Sequence, residues 1–463
     1  QLTIDEKLYD LCREMGKDSL SALAFIISHE LTHFFYNHQH PFGFANSPNH
    51  PNKPNSEIEM QADLYGLINA FAAGYQSFKV AKPILEKIYR VYQLDDNMMG
   101  YPTKTERLKS IEQYAKQAQG LASAFEAGKF LYLKKEYAAA EHCFKHVART
   151  IPAKEILNNL GLTQLQQVLS SEQISTQQMP FKMPVELEAE NRLMGIRGER
   201  NPEKNKAVDI EKLIKESIRN FEKAIELDKG YSTAYINLAT ARILLTNYGT
   251  TRDILDQLRK NTQTLSPDVY LLRAINHLYY KEYEAAQADL DHADGAFEIE
   301  YNRKVASWIK KGISEEALKD SVGKYISKPS KISRSEPLGI EKSIGSLTLS
   351  LVSNLPIDYE QNLPQPNVVH IRYSVLREFH AYKIVVKDGT FQVIQNFAQT
   401  PDVQTKQGIK IGDTVEAMQL KYGPPSRMVA IGNGHFYCYD EAHIYFRTIE
   451  GKIDGWLIYQ KII

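Results

Sequence analysis

At 463 residues the chain has length for roughly two to four domains, each able to bury its own core. Its 56 Lys and Arg balance 56 Asp and Glu, so nothing in the overall charge argues for nucleic acid or an anionic membrane surface as partner. No apolar run reaches the length of a membrane span, and Cys12, Cys143 and Cys438 lie too far apart for a disulfide framework or a metal cluster.

The chain begins at Gln1 rather than Met, which suggests a processed chain that has shed a signal peptide or membrane anchor. The expected location is the cell envelope, periplasmic or secreted.

The first element, around residues 18–35, contains His29-Glu30-Leu31-Thr32-His33 inside a run that reads as a buried helix. Helical residues four apart lie one above the other, so His29 and His33 present two imidazoles to one point, as a tetrahedral zinc ion requires. Glu30 is offset toward the place of a metal-bound water, where it can take a proton and hand it to a leaving amine. Burying Glu30 among Leu23, Ile26, Ile27, Leu31, Phe34 and Phe35 is costly unless a metal accounts for its charge.

A third ligand must come from downstream. A third histidine soon after His33 is excluded, because Tyr36 and Gln39 hold the positions where a glycine and that histidine belong. The Pro/Asn/His-rich stretch from His38 to Asn55 reads as a loop, and as a lid over a cleft. A second helix then carries Glu59 and Asp63, again four apart. Glu59 is expected on the metal, with Asp63 behind it fixing one imidazole; Glu57 competes for the ligand role.

Three ordered motifs now point to a family. His29-Glu-Leu-Thr-His33, Glu59-Met-Gln-Ala62-Asp63-Leu-Tyr-Gly66 and Tyr101-Pro102-Thr-Lys-Thr-Glu-Arg107 resemble the H-E-x-x-H, E-x-x-A-D-x-x-G and H-P-x-x-x-x-R pieces of HtpX/CAAX-protease-type zinc metallopeptidases, gluzincins with a zincin-like fold. The resemblance covers roughly residues 18–115. Tyr101 stands where that family has His, and only 25 residues separate His33 from Glu59. The resemblance implies that Zn2+ is the cofactor and that Tyr101 or Arg107 steadies the oxyanion.

From about 120 to 300 an internal repeat emerges. Gly128, Ala140, Phe144, Val147 and Pro152 fall at the positions of a helix–turn–helix unit of about 34 residues. Ala274, Ala286, Leu290 and Ala293 repeat the spacing, and Phe221 to Ala239 matches best. This resembles tetratricopeptide repeats, about four of them, whose small residues sit where helices approach closely. A Ser-, Gln- and Pro-rich insertion, 168–208, reads as a mobile excursion between the two helices of the second repeat.

A linker follows Ile326. Val368–Tyr373, Tyr382–Val386, Phe391–Ile394, His435–Tyr439, His443–Arg447 and Ile453–Tyr459 then alternate as strands, with turns at Asp388-Gly389 and Glu450-Gly451. A capped helix begins near Asp413 and ends at Gly423. Residues 408–460 resemble a small SmpA/BamE-type or lactamase-inhibitor-protein-like module, which implies a binding role.

The sequence thus predicts a mainly α chain with a C-terminal α+β domain: a metallopeptidase domain at 1–118, repeats at 119–327 and a binding module at 328–463. The order resembles BepA-type envelope protease–chaperones and implies an endopeptidase for protein substrates held by the repeats, in protein quality control. The alternative is a repeat scaffold or chaperone with a vestigial metal site. Partners are protein or peptide substrates and a repeat-bound protein, not nucleic acid.

Overall fold

The computed structural model describes residues 4–35, 55–72, 75–94, 102–170, 180–189, 210–326, 338–357, 359–363, 369–375, 379–397 and 403–462. The proposed lid with its histidines, Tyr101, the linker after Ile326 and most of the 168–208 insertion lie outside them.

Four helices form the N-terminal unit: α1 (Glu6–Arg13), α2 (Ser19–Phe35), α3 (Asn55–Ala72) and α4 (Ser77–Val91). The run expected to be buried throughout is buried along one stripe of α2 only. Ala22, Phe25, Ile26 and His29 face the core at helical spacing, whereas Leu31 and Phe34 face solvent.

Next, α5 (Lys104–Leu133) runs 30 residues without a break from a capping box made by Thr103 and Glu106. It crosses the boundary expected at 118/119. Its first turns complete the N-terminal unit and its second half opens the repeats, so one rigid helix serves both.

In the repeat region α5 pairs with α6 (Tyr137–Ala148), and α7 (Lys154–Leu169) with α8 (Ile210–Leu227). Then α9 (Ser232–Leu244) pairs with α10 (Tyr248–Asn261), α11 (Pro267–Tyr279) with α12 (Tyr283–Asp291), and α13 (Ile299–Lys310) with α14 (Glu315–Ile326). Among the described residues that makes five hairpins, where the sequence suggested about four. Small residues lie at the closest approaches. A Cβ added to Gly128 would stand 3.0 Å from the Phe144 ring, and one on Gly161 2.8 Å from the Phe221 ring.

The insertion leaves between α7 and α8, as the sequence predicts, but residues 180–189 are no excursion. They run extended against the helices and include β1 (Glu186–Leu187).

The C-terminal part is larger than the small module that residues 408–460 resemble. A short hairpin, β2 (Ser343–Ile344) and β3 (Leu347–Thr348), precedes β4 (Tyr359–Leu363), β5 (Val369–Val375), β6 (Phe379–Val386) and β7 (Gly389–Phe397). After α15 (Val415–Tyr422) come β8 (Arg427–Ile431), β9 (Gly434–Tyr439), β10 (Ile444–Ile449) and β11 (Lys452–Ile462). They form one sheet in the order β1-β8-β9-β10-β11-β7-β6-β5-β4, antiparallel except for the β1–β8 pair. Glu450 and Gly451, both at positive φ, make the β10–β11 turn. The β6–β7 turn sits at Lys387-Asp388, one residue earlier than predicted, because Val386 pairs with Gly389.

Alternation along the strands buries both faces. On one, Phe391 and Tyr459 pack their rings against Phe130 of α5, with centroids at 5.4 and 5.8 Å. On the other, Met418 and Tyr422 of α15 cover Phe446 and Trp456. The first face joins a continuous core running from Leu11 through the repeats to Tyr459, so the sheet is built onto the helix array. Among the described residues no helix is long and apolar enough to cross a membrane.

Candidate metal centre

The centre lies between α2, α3 and the start of α5. Helices α2 and α3 cross antiparallel, so that His29 faces Asp63 while His33 faces Glu59. Gly66 permits this approach: a Cβ there would stand 3.0 Å from the backbone N and Cα of His29.

His29 Nε2 and His33 Nε2 are 3.1 Å apart. Glu59 Oε2 lies 3.6 Å from the first, and its Oε1 lies 3.5 Å from the second. Ligands bound tetrahedrally to zinc at its usual bond lengths stand about 3.3 Å from one another. The three side chains therefore already hold the spacing that one small cation imposes. Glu57, the competitor, is exposed, whereas Glu59 is 5% exposed.

Behind these atoms is a buried charge network. Asp63 Oδ1 lies 2.9 Å from His29 Nδ1, the contact that fixes an imidazole with Nε2 turned toward a metal. Arg107 grips Asp63 with two hydrogen bonds, Nε to Oδ2 and Nη2 to Oδ1, both 3.0 Å. Its Nη2 also lies 3.2 Å from Glu59 Oε2. The capping box one turn earlier fixes the start of α5 and aims this side chain. Arg107, expected near the oxyanion, is thus held at the rear of the centre by both carboxylates.

Burial opposes ionisation of Asp63 and Glu59, yet both pKa values end below the usual range. Arg107 and the His29 hydrogen bond outweigh the burial. Burial likewise works to lower the pKa of His29, but Asp63 and then Glu59 push it up to about 9. The same two carboxylates favour any cation at that ring. Burial raises the pKa of Glu30, helped by Glu59 and opposed by His29 and Arg107, which locates its carboxyl in the field of the centre. A histidine that ligates a metal is neutral, so with His29 in that form ionised Glu59 and Asp63 against the one guanidinium leave a net negative charge, and a buried excess of that sign suits a dication.

Of the residues singled out, the structure brings together His29, His33, Glu59, Asp63 and Arg107, with Glu30 alongside. Tyr101 lies outside the described residues. Gly66 belongs to the second motif, but its task, letting α2 and α3 close up, is plain only in three dimensions. The signal was a glycine one turn beyond Asp63, on the face that meets the metal helix.

No family model matches this chain, and no curated protein matches it. Solved structures with some likeness are repeat proteins. One is a thermophilic TPR protein from Thermus thermophilus, 12% identical, with a TM-score of 0.26, covering 58% of this chain and 98% of its own. Another is pilF of Pseudomonas aeruginosa, 13% identical, with a TM-score of 0.25, covering 62% of this chain and 90% of its own. A tetratricopeptide repeat protein from Parabacteroides merdae is 14% identical, with a TM-score of 0.22, covering 68% and 99%. Overlays this loose carry no inference for the chain; the paired helices stand on their own packing.

Proposed function

We propose that this chain is a zinc-dependent endopeptidase that cuts polypeptide chains, in keeping with its resemblance to HtpX-type peptidases. One observation carries the reading. His29, His33 and Glu59 converge from two helices to metal-ligand spacing, and the carboxyl of Glu30 lies within the electrostatic reach of His29 and Glu59. These three side chains would hold the ion, and Asp63 orients His29 through Nδ1. Arg107 keeps both carboxylates ionised and in place. A zinc ion held there would supply Lewis acidity toward a water and a substrate carbonyl. Glu30 then serves as the proton carrier, taking a proton at its carboxylate and delivering it to the departing amine.

The test is metal content and cleavage on the same protein. Purified chain should hold about one zinc, lost on Glu59→Gln and kept on Glu57→Gln. Glu30→Gln should keep zinc and fold but no longer cut unfolded casein. Wild-type protein that binds zinc fully yet cuts nothing in a broad peptide library would favour the second reading. That reading, a scaffold or chaperone with a regulatory metal site, draws on the helix array alone.

A further inference from the structure

The inner face of the helix array is not empty. Residues 180–189 run along it in extended form, from α13 back to α5, and the helices grip their backbone at every second residue. Tyr301 donates to the carbonyl of Pro180 at 2.8 Å, and Thr240 to that of Pro184 at 2.7 Å. At the remaining alternate positions, three asparagines each take both the N–H and the C=O of one residue. Asn302 holds Lys182 at 3.0 and 2.8 Å, Asn237 holds Glu186 at 2.8 Å twice, and Asn159 holds Glu188 at 2.8 and 2.9 Å. Lys129 closes the row on the carbonyl of Ala189 at 2.7 Å. On the opposite edge Glu186 and Leu187 pair with Ala430 and Ile431 of β8.

These contacts read the backbone, which any extended polypeptide presents. Asn159, Asn237 and Asn302 are all fully buried. Within the array Asn237 also donates to Asn158 Oδ1 at 2.8 Å and Asn302 to the carbonyl of Phe297 at 3.1 Å, so a bound strand takes up the remaining capacity of these amides, and an incoming extended strand can restore every pair that the resident one gives up. The resident strand is also an imperfect occupant. It buries the carboxyl of Glu186, which is 7% exposed, in the field of Asp268 and Glu188.

We propose that the inner face of the array is a binding groove for extended, unfolded polypeptide, held shut in cis by residues 180–189, and that an incoming strand binds by displacing them. Recognition is through the backbone and the β8 edge, so it tolerates many sequences. The proposal does not depend on the metal centre, and its readout is binding.

The probe is a fluorescein-labelled decapeptide with the sequence of residues 180–189, titrated into the full chain and followed by polarisation. Leu187 is fully buried, so Leu187→Ala loosens the resident strand and leaves the asparagines untouched. This variant should bind the decapeptide at least tenfold more tightly than wild type, and adding Asn237→Ala should remove most of the gain. A decapeptide with proline in place of its Lys182, Glu186 and Glu188 counterparts loses three N–H donors and should bind at least tenfold more weakly. A folded Leu187→Ala chain that binds no better than wild type overturns the proposal. Hydrogen exchange on wild type gives a second test without mutation. The amides of Glu186 and Glu188 should exchange at least a hundredfold faster than those in the middle of α7 and α9. Equal protection would mean that the strand leaves only when the whole chain unfolds, and the proposal fails.

Discussion

Replacing Glu186 by Gln tests the strand's hold on the groove through a single proton. Burial, and after it the charge of Asp268 on α11, push the Glu186 carboxyl from its ordinary 4.5 up to about 8. Glu188 adds to the rise, and Thr233 of α9 pulls the other way. The docked strand therefore keeps a proton at neutral pH that the released strand gives up. A raised carboxyl pKa contributes its full stability below the free value, and that stability is lost as pH climbs through the docked value. At 1.36 kcal/mol per unit, docking of the wild-type strand should weaken by about 3–4 kcal/mol between pH 5 and pH 8, a factor of a few hundred. Gln has the shape of the protonated acid and does not titrate, so Glu186→Gln should lose none of this. The assay is the opening free energy of the Glu188 amide from hydrogen exchange, measured for both proteins across that range and corrected for the intrinsic rate. Taking the difference removes every other titrating group. If the two proteins run parallel from pH 5 to pH 8, Glu186 does not carry the buried proton and the reasoning fails.

Two further substitutions probe the metal centre. Arg107→Leu leaves Asp63 and Glu59 buried without their guanidinium, and should cost about 3–5 kcal/mol in denaturant unfolding. Gly66→Ala sets a methyl group 3.0 Å from the backbone of His29. It should cost about 1–3 kcal/mol and loosen zinc at least tenfold, read by competition with a chromophoric chelator. A Gly66→Ala protein with native zinc affinity would show that the helix spacing does not set the ligand spacing.

Part of the centre is legible in the sequence because periodicity carries it. His29 and His33 four apart, and Glu59 and Asp63 four apart, define facing pairs from spacing alone, since helix geometry is local. The role of Arg107 was hidden because it depends on where α5 starts in space, 44 residues beyond Asp63. The strands of the C-terminal part were visible as alternation, but their union into one sheet rests on the β7–β11 pairing, which no local pattern announces. The 180–189 strand was the hardest to read. Its segment is rich in Pro and charge and lacks a helical or strand period, because its partners are asparagines on α7, α9 and α13 rather than its own side chains. Those asparagines fall outside the small and aromatic positions that define the repeat, so the period does not point to them.

The two proposed sites share one rigid helix, and this sets a length. Arg107 of α5 touches Glu59, the proposed metal ligand, and Lys129 of the same helix holds the end of the resident strand at Ala189. Twenty-two residues of helix separate them, about 33 Å at 1.5 Å per residue. An extended chain covers about 3.3 Å per residue, so a polypeptide lying as residues 180–189 lie needs roughly ten more residues to reach the centre. They must extend from its C-terminal end, because Ala189 is the end nearest α5. Substrates built as the decapeptide followed by C-terminal tails of 5, 10, 15 and 20 residues test this on the Leu187→Ala chain. Tails shorter than about ten residues should gain nothing from the groove, and longer ones should be cut with KM lowered at least tenfold relative to the tail alone. Cleavage of the five-residue tail with the same low KM would mean that groove and metal are not related through α5, and the two sites would have to be treated as independent.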